Sequence, residues 1–155
     1  MRGARLILLL AALAGGDAAA ATMPRGAVVL PGAKLATLLH QCSRASPQKG
    51  EATWQPTAED IVALEALLPA ALSPRFRPGD AKWSKAPTGW GRQYVGIVRG
   101  GRRFIYGNFV PQTHSNPVSP GGEPVMVCDG GPDFFGVEYD VAARRIIHVD
   151  FNGIA

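Results

Sequence analysis

In the stretch AKLATLLHQCSRA, Leu35, Leu38, Leu39 and Cys42 recur at i, i+3, i+4 and i+7, the spacing of one helix face. Pro31-Gly32 precedes this helix and Ser43 onward frays it. A second stripe, Ile61, Leu64, Leu68 and Leu72, runs through WQPTAEDIVALEALLPAALS. Thr57 stands where an N-cap belongs, with Glu59 and Asp60 at the positive end of the helix dipole. Pro69 weakens the last turn, because it lacks an N–H and crowds a preceding carbonyl, and Ser73-Pro74 ends the element. The period then changes from helical to alternating. RQYVGIVRGGRRFIYGNFV reads as two strands about a Gly100-Gly101 turn. DFFGVEYDVAARRIIHVDFNG reads as a second hairpin turning at Val141 to Ala143. Phe135, Val137 and Tyr139 share one face of its first strand, and Ile147, Val149 and Phe151 repeat that pattern in its second. A short apolar run at Val125 to Cys128 adds a further strand. The resulting fold class is α+β, with two helices from the N-terminal half packed on one face of a mainly antiparallel sheet of four to five strands.

The first residues fit neither hairpin nor helix stripe. Arg2 and Arg5 precede an apolar run from Leu6 to Ala14, and small residues follow at Ala18 to Ala21, the order of a secretory signal. The run is too short to span a bilayer, and no later span is evident. Residues 1–21 are therefore expected to be a signal peptide, and residues 22–155 a single exported domain, periplasmic or secreted. Without Arg2, Arg5 and Asp17 the net charge is about +3, a mild excess that says little about partners. No cysteine near the candidate cleavage point offers itself for lipidation.

Export changes the meaning of Cys42 and Cys128. In an oxidising compartment two cysteines usually pair, and a bridge across 86 positions stabilises by roughly 4–5 kcal/mol on chain entropy. Placed on a helix and on a strand, both are expected to point toward a shared interior. No nearby base suits Cys128 to nucleophilic work, and the two lack the close spacing of a zinc knuckle.

The segments CSRA, ATWQPTAEDIVALEALLP, RQYVGIVRGGRRFIYGNF, VCDGGPDFFGVEYD and FNG together resemble a group of small exported proteins of Gram-negative bacteria that carry no assigned function. The likeness covers about residues 42–153. It implies a single periplasmic domain, and it transfers no activity and no catalytic residue.

Candidate chemistry is sparse. His40, His114 and His148 have no metal-ligand spacing. His148 and Asp150 on one strand face can serve as base and orienting carboxylate, and Glu138 from the neighbouring strand would make them a small polar cluster for a hydrolase. An exposed polar sheet face accounts for the same residues. Glu59 and Glu65 offer an acid/base pair, but the wet face of the capped helix accounts for both. DGGPD lacks both the ligand series of a calcium loop and the Lys-Ser/Thr end of a phosphate loop, and reads as a turn. No cofactor or metal is expected.

SPRFRPGDAKWSKAPTGWGRQY is richer. It interleaves cations with Phe76, Trp83, Trp90 and Tyr94 against one acid, Asp80. Rings stack on sugars or partner side chains while cations hold carboxylates or phosphates, so Arg77, Lys82, Trp83, Lys85, Trp90 and Arg92 are the candidate binding residues. The alternative is that the tryptophans pin a loop to the core. No recognition fold accompanies the charge, so nucleic acid is not the expected partner. The favoured function is a periplasmic interaction or inhibitor-like module for an envelope glycan or protein. A hydrolase and a structural envelope protein are the alternatives.

Overall fold

The structure is a computed structural model and describes residues 20–75, 88–112 and 122–154. Its strands are β1 (Ala27–Val29), β2 (Ala52–Trp54), β3 (Trp90–Arg99), β4 (Arg102–Pro111), β5 (Phe135–Asp140) and β6 (Arg145–Phe151). Its helices are α1 (Leu35–Leu39), α2 (Ala58–Glu65) and α3 (Leu68–Leu72), so the fold is α+β.

Thr57 starts α2 with a reciprocal capping box. Its Oγ1 accepts the Asp60 N–H at 3.3 Å, and the Asp60 carboxylate accepts the Thr57 N–H at 2.8 Å. Pro69 then divides the predicted helix in two. With no N–H to give and a ring pressed toward the carbonyl four residues back, it fits only at the start of a new helix, where α3 places it. The break leaves the stripe intact, because Ile61, Leu64, Leu68 and Leu72 are all fully buried. Each such side chain stabilises by about 1.5–3 kcal/mol.

The sheet order is β1-β3-β4-β5-β6, with β2 also on β3. All pairs are antiparallel except β1 with β3. The two three-residue strands β1 and β2 lie along the same side of β3, bringing the total to six where four or five were expected.

The sheet has two apolar faces. On one, α2 and α3 cover Tyr94, Ile105, Phe109, Phe135, Val137 and Tyr139. On the other, Leu35 and Leu38 of α1 join Val28, Leu30, Val95, Ile97, Tyr106 and Val110. The helices thus divide between the two faces, where the sequence reading placed them on one. Alternating hydrophobic residues on both sides of β3 and β4 demand this arrangement, since each face must be removed from water.

Three local expectations are corrected. Val125 to Cys128 is not a strand: Gln93 Oε1 accepts the Val125 N–H and Asn108 Nδ2 donates to the Val125 carbonyl, so side chains replace a ladder. Cys42 lies beyond α1, which ends at Leu39. In β6, Ile146 rather than Ile147 faces the core. Tyr139 pairs with Ile146 and Glu138 with His148, so Ile147 is the extra residue of a bulge and stands 39% exposed.

Cys42 and Cys128 form a disulfide, with Cα atoms 5.2 Å apart. Both residues are exposed, so the bridge ties two surface loops instead of entering a shared interior. Among the described residues, no helix is long and apolar enough to cross a membrane.

Candidate functional site

Glu65 closes α2 from a position four residues after Ile61 and three before Leu68, on the buried side of the stripe. A carboxylate there is desolvated and also meets the negative end of the helix dipole. β3 supplies the compensation. Arg92 Nε and Nη2 donate to the two Glu65 oxygens at 3.0 and 3.3 Å, and the Tyr94 hydroxyl donates to Oε1 at 2.7 Å. Arg92 Nη1 also donates to the Trp90 carbonyl at 2.8 Å. Burial, followed by the adjacent Glu65 charge and hydrogen bond, pushes the Tyr94 hydroxyl well above the ordinary tyrosine range, so it remains a donor.

This clamp forms the floor of a cleft of about 530 Å³, lined also by Arg25, Thr88 and Gln112. Gly26 (φ +80°) brings the N-terminal segment close, and its carbonyl accepts the Arg92 N–H at 2.8 Å. A Cβ on Gly26 would sit 3.0 Å from Gln112 Oε1 and would face φ strain as well. Arg25 at the rim is exposed and has no hydrogen-bond or ion-pair partner among the described residues. The cleft therefore carries one committed guanidinium, one committed carboxylate and one uncommitted guanidinium. Chemically, it suits capture of an anionic or polar group at Arg25.

Of the sequence-based binding set, Arg77, Lys82, Trp83 and Lys85 lie outside the described residues. Trp90 is 4% exposed; its Nε1 donates to the Asp133 carbonyl at 2.8 Å and its ring meets Phe135 edge-on at 6.2 Å. It is a core anchor, the alternative weighed for the tryptophans, and offers no ring face to a partner. Arg92 borders the cleft while its guanidinium holds Glu65. Tyr94 is wholly buried.

Of the hydrolase set, Glu138 and His148 are cross-strand partners in β5 and β6, but among the described residues no hydrogen bond links the three side chains. Glu138 is 5% exposed and accepts from Arg99 Nη2 at 2.7 Å. Asp150 accepts the Ala45 N–H at 2.7 Å. His148 is exposed and, among the described residues, is hydrogen-bonded to neither. No group of three or more His, Cys, Asp or Glu among the described residues is placed to hold a metal ion.

Beneath the disulfide lies a polar cluster with no counterpart in the sequence reading. Arg44 is 8% exposed, donates to Asn152 Oδ1 and Asn108 Oδ1, and approaches the Tyr106 hydroxyl at 3.4 Å. Asn152 in turn donates to the Val127 and Asp129 carbonyls at 2.7 Å each, and the Ser43 hydroxyl accepts the Asp129 N–H at 2.9 Å. CSRA, VCDGG and FNG are thus three strips of one knot.

Glu65 is legible at its helix position, but the sequence pattern alone puts it on the wet face. Gln93 and Asn108 carried a signal too, as polar residues at inward positions of otherwise apolar strands. Arg25 and Gln112 had none. Compared with known proteins, the chain matches no family model, no curated protein and no solved structure at a significant level.

Proposed function

We propose that the protein is an exported interaction or inhibitor-like module of the periplasm or extracellular space. It binds an envelope glycan or protein at the end of the sheet where β3 begins. Residues 1–21 act as the export signal in this reading, and the disulfide agrees with an oxidising destination. The observation that carries it is the Arg25 cleft. Its floor is fixed by the Glu65–Arg92 pair, its rim holds an uncommitted cation, and its Thr88 wall belongs to the aromatic and basic stretch. A fixed floor lowers the ordering cost of binding, and the rim cation orients an acidic partner.

The test is a pull-down from envelope extract with the processed, oxidised protein. It is repeated with Arg25→Ala and with a triple Arg77→Ala, Lys82→Ala, Lys85→Ala variant. A partner retained by the wild type and lost or weakened in both folded variants supports the reading. Equal retention by both overturns the placement. Turnover in a substrate screen that His148→Ala or Asp150→Ala abolishes overturns the function class.

A further inference from the structure

We propose that the outer edge of β6 is a second binding surface, one that adds an extended acidic segment of a partner protein as a further strand. The two sides of the sheet end differently. Along β3, residues Arg92–Tyr94 pair with β1 and residues Gly96–Val98 with β2, so short strands cover that side. At the other end, β6 presents its stretch 145–149 with no strand beyond it among the described residues, while the Ala45 N–H reaches Asp150 and the Ser43 carbonyl accepts the Gly153 N–H farther along. A bare strand edge exposes alternate N–H and C=O groups, which an incoming strand satisfies directly.

Next to this edge lies a groove of about 210 Å³ between α3 and β6, lined by Ala71, Arg75, Ile146, Ile147, His148 and Val149. The bulge leaves Ile147 as an exposed apolar contact beside it. An added strand would have apolar side chains to meet on the groove side, at the alternation a strand supplies.

Charge selects the partner. Arg75, Arg144 and Arg145 are exposed around the strand, and none has an ion-pair partner among the described residues. Of the nearby acids, Glu138 is engaged with Arg99, Asp140 with Arg102 and Asp150 with the Ala45 N–H, whereas Glu59 and Asp60 share a hollow with Arg144, so the cations left to a partner are Arg75 and Arg145. An acidic segment therefore complements this edge. A second copy of β6 fits less well, since it brings the same cations and one engaged carboxylate. This surface shares no residue with the Arg25 cleft and stands or falls separately from it.

The experiment follows backbone amide shifts of the isotope-labelled, oxidised protein during titration with a seven-residue peptide of alternating Glu and Val. A Lys/Val counterpart and a Glu/Val peptide N-methylated at alternate amides are the controls. Shifts confined to β6, Ala71 and Arg75 are expected, with binding about tenfold weaker for the Lys/Val peptide. N-methylation should remove binding. Arg75→Glu combined with Arg145→Glu should reverse the peptide preference while the remaining amide spectrum is unchanged. Equal binding of both peptides, unaffected binding of the N-methylated form, shifts elsewhere, or no shifts at millimolar peptide would each overturn the proposal. So would β6 shifts that grow with protein concentration alone, which would identify a second copy as the occupant.

Discussion

Arg92 meets Glu65 through two nitrogens, at 3.0 and 3.3 Å, with the two side chains 6% and 11% exposed. A buried pair of this kind is costly to break from one side. Glu65→Ala leaves the Arg92 charge desolvated and removes the Tyr94 acceptor, with an expected loss of about 3 kcal/mol in urea unfolding. Replacing both members by apolar residues, as in Glu65→Leu with Arg92→Met, should cost less than Glu65→Ala alone, because no charge is stranded. A double variant less stable than the single one would show that the pair contributes net stability.

The Arg44 cluster explains why its acceptors are amides. Asn152 must accept from Arg44 and also donate to two carbonyls, and Asn108 must accept from Arg44 while donating to Gln93 and Val125. A carboxylate performs only the accepting half. Asn152→Asp should therefore lower stability by about 1–3 kcal/mol even though it supplies Arg44 with a counter-ion, because two half-buried carbonyls lose their donor. Thermal and denaturant unfolding at neutral pH read this directly. A more stable Asn152→Asp would mean that neutralising Arg44 outweighs both lost bonds.

Exposure of the disulfide has a practical consequence. A bridge between exposed residues is open to a small thiol reagent, so dithiothreitol should reduce Cys42–Cys128 without denaturant. Removing the link across 86 positions should lower unfolding free energy by about 4 kcal/mol. Hydrogen exchange should then rise first in residues 122–130, which the side chains of Gln93 and Asn108 in the sheet and of Asn152 just beyond it hold in place. Uniform acceleration across β3 and β4 instead would show that reduction acts only on global stability.

Periodic burial explains what could be read in advance. The Ile61–Leu72 stripe and the two glycine- and loop-closed hairpins emerge because each repeats its apolar spacing over several turns or residues. β1 and β2 escape because three residues contain no period to detect. The bulge at Ile147 escapes for a different reason. Ile147, Val149 and Phe151 alternate perfectly, whereas the observed face uses Ile146, Val149 and Phe151 and skips a beat after the Val141–Arg144 turn. Polar pairing across the fold is least visible. Nothing local in Glu65 announces Arg92, 27 positions later, and nothing in Arg44 announces Asn152 at 108 positions. The Arg25 cleft depends on that same long-range assembly.

The clamp also makes a prediction in alkali. Tyr94 is buried and donates to Glu65, and both effects favour its neutral form, raising its pKa well above the ordinary value of 10.0. In the unfolded chain the hydroxyl ionises near that ordinary value. The folded state consequently retains a proton that the unfolded state has released. The stabilisation is fully present below pH 10.0, declines as pH rises past it, and is lost on passing the folded-state pKa. Tyr139 is raised as well, mainly by burial, so it contributes to the same decline. Tyr94→Phe should lower stability at neutral pH by about 1–2 kcal/mol, the cost of the charged hydrogen bond, and should flatten the alkaline slope. Tyr139→Phe separates the second contribution. Brief exposures avoid alkaline damage to the disulfide, and near-ultraviolet tyrosinate absorbance should show one hydroxyl resisting ionisation until the protein unfolds. If Tyr94→Phe removes no resistant hydroxyl and leaves the slope unchanged, the Tyr94–Glu65 hydrogen bond is not what holds that proton.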